Sequence, residues 1–360
     1  HDILIKLDIL GHDVPTIIRL LQDATGIDPL TIPLDDKPTM ELFSGLKPLG
    51  LKSKDLLGIQ TGTLGIPEFG TKFVRQMLMD TKPTTMSEIV RISGLSHGTD
   101  VWLGNAQDLI KAGTCTLKEA ICTRDDIMNY LVDKGVEKRM AFFIMEATRK
   151  GKVAKNGFTE DMQKALDDAH IADWFIESCK KIKYMFPKAH AVAYVIMAYR
   201  IAYCKVHYPE AFYSSYFTVR ANDFDASYVL GGLEDIKKNW QAIESNGNAT
   251  ANEKNMATML EVACEMYLRG YHFLPVDLKK SDAEKFLIEE GGLRLPFLSI
   301  PKLGGNAAAK IVEEREKGAF LSIEDLRKRA KISTAVIEEM QKMGTLTGLS
   351  QTNQLSLFDF

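Results

Sequence analysis

The chain has 360 residues, 45% hydrophobic and 26% charged, with a formal net charge of −3; this is an ordinary soluble composition with room for two or three domains, and it contains neither an apolar run near the length of a membrane span nor a signal peptide. The small negative charge argues against indiscriminate nucleic-acid binding, yet charge is segregated, with Lys and Arg gathered between Lys134 and Lys188 and acid between Asp223 and Asp235. Five scattered cysteines (Cys115, Cys122, Cys179, Cys204, Cys264) show no C-x-x-C pair and no zinc spacing, which predicts reduced thiols.

The chain starts at His1 without a methionine, as a fragment or processed piece would. Residues 3–10, ILIKLDIL, alternate with the period of a strand, leaving Asp8 on the polar face. Asp13 and Pro15 then start a helix that stops near Gly26. Pro and Gly breaks up to about Leu57 surround one short helix, MELFSGL. TGTLGIPEFGTKFVRQML is a Gly-rich loop leading into a helix, with Phe69, Phe73 and Met77 expected on one stripe. It has neither Walker A nor dinucleotide-fold spacing, so a plain turn competes with a phosphate cradle. Ser93 to Thr99 reads as a polar loop, and the lack of a G-x-S-x-G elbow speaks against nucleophilic chemistry there.

Three helical stretches follow: LKEAICTRDDIMNYLVDKG, EKRMAFFIMEATRKGK and TEDMQKALDDAHIADWFIESCKKI. Phe142, Ile144 and Met145 are expected in the core. Arg149, Lys150 and Lys152 close the second stretch, where cations are stabilised by the helix dipole; the same donors would suit a triphosphate. Lys180 to Pro209 reads as a basic approach, a turn at Pro187 and a long helix. Phe186, Lys188, His190 and Tyr194 gather around its first turn, where unpaired N–H groups favour an anion.

Beyond Phe217 the chain is mixed, with an exposed loop NGNATANEKN, a helix MATMLEVACEMYLRG and strand-like pieces YHFLPVDL and KFLIEE. Residues 297–318 then form the hairpin of a helix-hairpin-helix unit, with STAVIEEMQKMGTL as a degenerate second copy. Lys302, Gly304, Gly305, Asn306 and Lys310 are the candidate phosphate contacts, since glycine lets backbone N–H groups approach closely. The last ten residues turn abruptly from polar to apolar.

The phrases FPKAHAVAY and AYRIAYCKVHYP resemble the fingers of PolC-type bacterial DNA polymerase III alpha subunits, and the resemblance runs through essentially the whole chain. It implies a mainly α fold with a small β contribution. Residues 1–35 would end the palm, 36–218 form the fingers, 219–290 connect, 291–349 bind duplex DNA, and 350–360 form a tail. It also implies that the helix after Pro187 contacts the incoming deoxynucleoside triphosphate, with Ser96 and His97 near the nascent base pair. Asp8 would be one ligand of Mg²⁺, and Gln354, Leu355, Ser356, Leu357 and Phe358 would dock on the sliding clamp. The family's other two metal aspartates lie in an earlier D-x-D motif of the palm, for which no matching segment appears, so this piece alone is expected to be inactive. It would work in the bacterial cytoplasm, at the nucleoid and on no membrane, with primer-template DNA and the remaining palm and thumb. Two rival readings are a non-enzymatic helix-hairpin-helix scaffold and a stand-alone nucleotide-dependent enzyme. The first gives Asp8 no role, and the second needs carboxylates converging beside Lys188.

Overall fold

The computed structural model describes residues 13–352. The expected strand 3–10 with Asp8, and the Gln354–Phe358 pentapeptide, lie outside them. The described chain divides into two compact units: Pro33–Pro48 with Gln60–Ala202, and the remainder, which includes Leu49–Ile59 and everything from Tyr203.

The Pro33–Ala202 unit is helical. Its helices are Lys37–Glu41, Lys72–Thr81, Met86–His97, Gln107–Lys111, Arg124–Asp133, Lys138–Arg149, Lys152–Asn156, Glu160–Asp168, Asp173–Lys181 and the first part of Lys188–His207. Local chemistry sets their starts. Thr85 and Glu88 form a reciprocal capping box, and Thr123 and Asp126 form another. Phe43, Phe69 and Tyr199 make the aromatic centre of the core. Phe43 meets Phe69 edge-on at 5.0 Å and stacks on Tyr199 at 6.2 Å. The Tyr199 hydroxyl donates to the Asp36 carbonyl at 2.8 Å.

Several expectations need correction here. Phe69 lies in the Gly-rich loop, because Thr71 caps a helix that begins only at Lys72; Phe73 is therefore exposed, while Val74, Met77 and Leu78 form the buried stripe. That loop is a turn stitched inward, since the Gly62 N–H donates to the Leu42 and Gly45 carbonyls. Ser93–His97 is helical, because Gly94 lets its helix pack against the Cys122 carbonyl, which a Cβ would approach to 2.7 Å. Phe142 is 45% exposed, although Ile144 and Met145 are buried. The short helix is Lys37–Glu41, ahead of most of MELFSGL, and the third helical stretch breaks at His170, whose φ is +48°.

The other unit packs helix Asp13–Thr25 against Pro209–Thr218, and Leu233–Ser245 against Ala251–Leu268. The Leu233 helix falls where only mixed, acidic chain was expected. A small sheet runs in the order Phe273–Leu274, Gly292–Arg294, Leu287–Glu289, parallel then antiparallel. Phe217, Phe224, Phe273 and Phe286 cluster beside it, with ring centroids 5.1–5.9 Å apart. Helices Gly305–Lys317, Ile323–Ala330 and Thr334–Lys342 complete the unit. All five cysteines are free and buried, and burial pushes Cys122, Cys179 and Cys204 up to about 12. Among the described residues no helix is long and apolar enough to cross a membrane.

Candidate functional site

The segment Lys183–Phe186 is where the predicted nucleotide residues meet. The Thr99 N–H donates to the Tyr184 carbonyl (2.9 Å), and the Lys183 N–H to the Thr99 carbonyl (3.1 Å). The Met185 N–H donates to the Arg149 carbonyl (3.3 Å), and the Arg124 N–H to the Phe186 carbonyl (3.2 Å). Close approach requires glycine at two points. A Cβ on Gly151 would lie 2.6 Å from the Lys183 carbonyl, and one on Gly98 would lie 3.1 Å from that of Tyr184. The ends of the Met86 and Lys138 helices and the starts of the Arg124 and Lys188 helices are thereby tied to one short strip of chain.

Four rings form a column along this strip. His97 stacks on Phe186 at 4.8 Å and 23°, Phe186 meets His190 edge-on at 4.8 Å, and His190 lies 4.5 Å from Tyr194. His190 is exposed, and Phe186 and Tyr194 are half-buried. Ser96 turns back on its own helix, donating to the Ser93 carbonyl at 2.9 Å.

The anion expected at the start of the Lys188 helix is supplied from within the chain. The Lys188 N–H donates to Asp125 Oδ2 at 2.8 Å, which satisfies one of the helix's open donors. The ammonium of Lys188 and the guanidinium of the adjacent Arg124 make no ion pair among the described residues.

The basic cluster is partly neutralised. Arg149 grips Glu146 through two nitrogens, and Lys150 reaches the same carboxylate at 2.8 Å. Arg149, then Lys150, pulls the Glu146 pKa down to about 2. Lys152 is exposed, without an ion pair among the described residues. Lys150 and Lys152 border a groove of about 520 Å³ floored by Met140, Phe143 and Met162.

Sequence reasoning missed Glu68. Its only signal was a lone carboxylate in an otherwise uncharged, Gly-rich loop. It accepts from His97 Nε2 at 2.7 Å, and its hydrogen bond raises the His97 pKa above the ordinary value in spite of burial.

In the hairpin unit, Lys302 has φ +68° and Gly304 caps the Gly305 helix with no side-chain bond, leaving open space at its Cα. The second hairpin repeats this form. Lys331 has φ +54°, Ile332 is buried like Leu303, and Ser333 caps the Thr334 helix, its hydroxyl accepting from the Val336 N–H. The charges are distributed differently from the expectation. Lys302 sits on Glu339 at 2.7 Å, and Lys310 lies between Glu313 and Glu314 at 2.9 and 3.1 Å. Asn306 is exposed. Arg327, Lys328 and Lys331, beside the second hairpin, are exposed with no ion pair among the described residues. Among the described residues no group of three or more His, Cys, Asp or Glu is placed to hold a metal ion.

Residues 14–169 match the bacterial DNA polymerase III alpha subunit finger domain, and residues 270–355 match a helix-hairpin-helix motif. The chain is 60% identical over 99% of its length to the DNA polymerase III PolC-type of Caldanaerobacter subterraneus subsp. tengcongensis. It is 57% and 56% identical, over the same share, to those of Listeria monocytogenes and Bacillus subtilis. It spans about a quarter of the length of each: 25%, 24% and 25%. With identity above one half along nearly its whole length, a fingers match that takes in His97 and Arg149, and a hairpin match that takes in both Lys-bearing turns, the chain belongs to the PolC-type DNA polymerase III family.

Proposed function

We propose that the chain supplies the incoming-nucleotide site and the duplex contacts of a replicative DNA-directed DNA polymerase. The parent reaction joins a deoxynucleoside triphosphate to a primer 3′-hydroxyl and releases pyrophosphate. One observation carries the nucleotide assignment: the ring column His97–Phe186–His190–Tyr194 lies at the start of the helix that bears Lys188, and neither Lys188 nor Arg124, whose N–H bonds the Phe186 carbonyl, makes an ion pair among the described residues. Rings of this kind cover a base, while unpaired cations at a helix start meet phosphate oxygens. Lys152 is free to join them, and Arg149 and Lys150 join by exchanging Glu146 for phosphate.

The reading includes Mg²⁺, which in such enzymes stabilises the attacking and leaving oxygens of the transfer. Asp8 is its proposed ligand here. One carboxylate is insufficient, so the other ligands come from outside this chain and the chain alone is inactive. The described residues offer no group of three or more His, Cys, Asp or Glu placed to hold the ion. Gln354–Phe358 docks on a sliding clamp, and the polymerase acts in the bacterial cytoplasm at the nucleoid.

Phe186→Ala tests the site in the full-length polymerase. Losing a base-covering ring costs roughly 1–3 kcal/mol, so the nucleotide KM is expected to rise about 10-fold with duplex affinity unchanged. An unchanged KM would remove the column from the site.

For duplex binding, both hairpins are proposed to meet phosphates, with the second supplying the free charge. Replacing Arg327, Lys328 and Lys331 together by alanine should weaken binding to all sequences alike. It should also lower the slope of log affinity against log salt by about one per lost contact. Lys302→Ala, whose ammonium already rests on Glu339, should change far less. A salt titration in which Lys302→Ala has the larger effect contradicts this assignment.

A further inference from the structure

We propose that Glu68 and His97 form a positioning clamp that fixes the Phe186 ring, and through it the first turn of the Lys188 helix, in the arrangement that receives a nucleotide. This rests on the nucleotide reading above, and it gives Glu68 a role that acts through another residue.

Glu68 holds φ at +69°, a left-handed backbone that is strained for a non-glycine residue. It sits between Pro67 and Phe69, and the buried Phe69 ring fixes the loop in the aromatic core. The strained turn delivers a carboxylate that is only 12% exposed to His97 Nε2, 2.7 Å away. The other ring nitrogen, Nδ1, lies 2.8 Å from the Ser93 carbonyl.

An ionised Glu68 and the Ser93 carbonyl both accept, so these contacts favour the imidazolium, which donates from both nitrogens. The groups facing the ring are Glu68 from the loop, the Ser93 carbonyl and Ser96 hydroxyl from its own helix, and Phe186 from the Lys183–Phe186 segment. With its two nitrogens anchored in different directions, the imidazole has no freedom to tip. Its face is the wall against which Phe186 stacks, 23° from parallel. Phe186 is also pinned at its carbonyl by the Arg124 N–H and meets His190 on another side. A change at Glu68 therefore reaches the nucleotide through the tilt of Phe186, with no contact of its own. The alternative is a staple that only joins the loop to a helix end. It would contribute stability and nothing to nucleotide affinity.

The experiment uses two variants in the full-length polymerase. Glu68→Gln keeps the shape and removes the charge, while Glu68→Gly suits the left-handed backbone and removes the side chain. Each is expected to raise the nucleotide KM at least five-fold with kcat at saturating nucleotide within two-fold. Neither should raise KM further when combined with Phe186→Ala, because contacting residues in one chain of effect are non-additive. In the 360-residue chain, the His97 titration midpoint read by NMR should lie above about 6.5 and fall in Glu68→Gln. If Phe186→Ala raises KM while both Glu68 variants leave it unchanged, the nucleotide reading stands and the clamp is refuted. A KM rise of equal size with and without Phe186→Ala also refutes it, since Glu68 would then act by another route. If Phe186→Ala itself leaves KM unchanged, the reading fails and the clamp fails with it, whatever the NMR midpoint.

Discussion

A Lys205→Met chain is expected to lose about 3–5 kcal/mol of stability in the unit that holds Lys205, the cost of leaving a buried charge without its partner. Lys205 lies in the last turn of the Lys188–His207 helix and has no exposed surface. Its ammonium contacts both oxygens of the equally buried Glu265, at 2.8 and 2.9 Å. Tyr213 donates its hydroxyl to Glu265 at 2.7 Å, and Arg269 donates to both that hydroxyl and the Lys205 carbonyl. Burial, and then the Glu265 carboxylate, hold the Tyr213 phenol well above the usual tyrosine range.

Methionine fills much the same volume, but Glu265 would then keep one neutral donor, with the Arg269 guanidinium reaching it only through the Tyr213 hydroxyl. Removing both charges in Lys205→Met/Glu265→Leu should cost less than Lys205→Met alone, because desolvating an ion pair offsets much of what the pair returns. Urea unfolding of the chain, followed in the transition that carries this unit, reads the difference. A single-variant loss under about 1 kcal/mol, or a double variant worse than either single, contradicts the network as described.

What the sequence revealed and what it hid follow from the range of the interactions. The Asp13 helix and its stop at Gly26 were legible because both signals lie within a turn of the element they bound. The helix after Pro187 and the Gly304 hairpin were legible for the same reason. Ser93–His97 was misread because Ser, Gly and His favour loops locally, whereas the decisive contact of Gly94 is with the distant Cys122 carbonyl. The phase of the Lys72 helix was wrong because Phe69 and Phe73 imitate a stripe that the cap at Thr71 interrupts. Gly292–Arg294 was missed because three residues, one of them glycine, are too few to show an alternation, even though the antiparallel partner Leu287–Glu289 lies just before it.

Within the candidate site, residue types were readable and charge balance was not. Lys302 is neutralised by Glu339, and the Lys188 N–H is capped by Asp125, 63 residues away. Neither pairing leaves a mark at the level of spacing. Glu68 stayed hidden because its importance lies in a backbone conformation that the sequence gives no reason to expect.

The second large effect falls on Lys188. A cation beside the positive end of a helix is unfavourable unless an anion meets it, so Lys188→Ala should leave the fold intact or slightly more stable. Asp125 is engaged with the Lys188 backbone N–H, and the ammonium makes no ion pair among the described residues. A charge-assisted phosphate bond is worth about 1.5–3 kcal/mol, which predicts a loss of roughly 10- to 100-fold in triphosphate affinity. The effect should depend on the phosphates and be blind to the base, unlike that of Phe186→Ala.

The most direct measurement compares binding of a deoxynucleoside triphosphate and of the corresponding nucleoside to the primed full-length polymerase, with and without Lys188→Ala. The variant is expected to lose at least 10-fold in triphosphate affinity while nucleoside affinity is unchanged. Equal losses for both ligands, or no loss for either, would show that Lys188 does not face the triphosphate and would contradict the nucleotide site built on it.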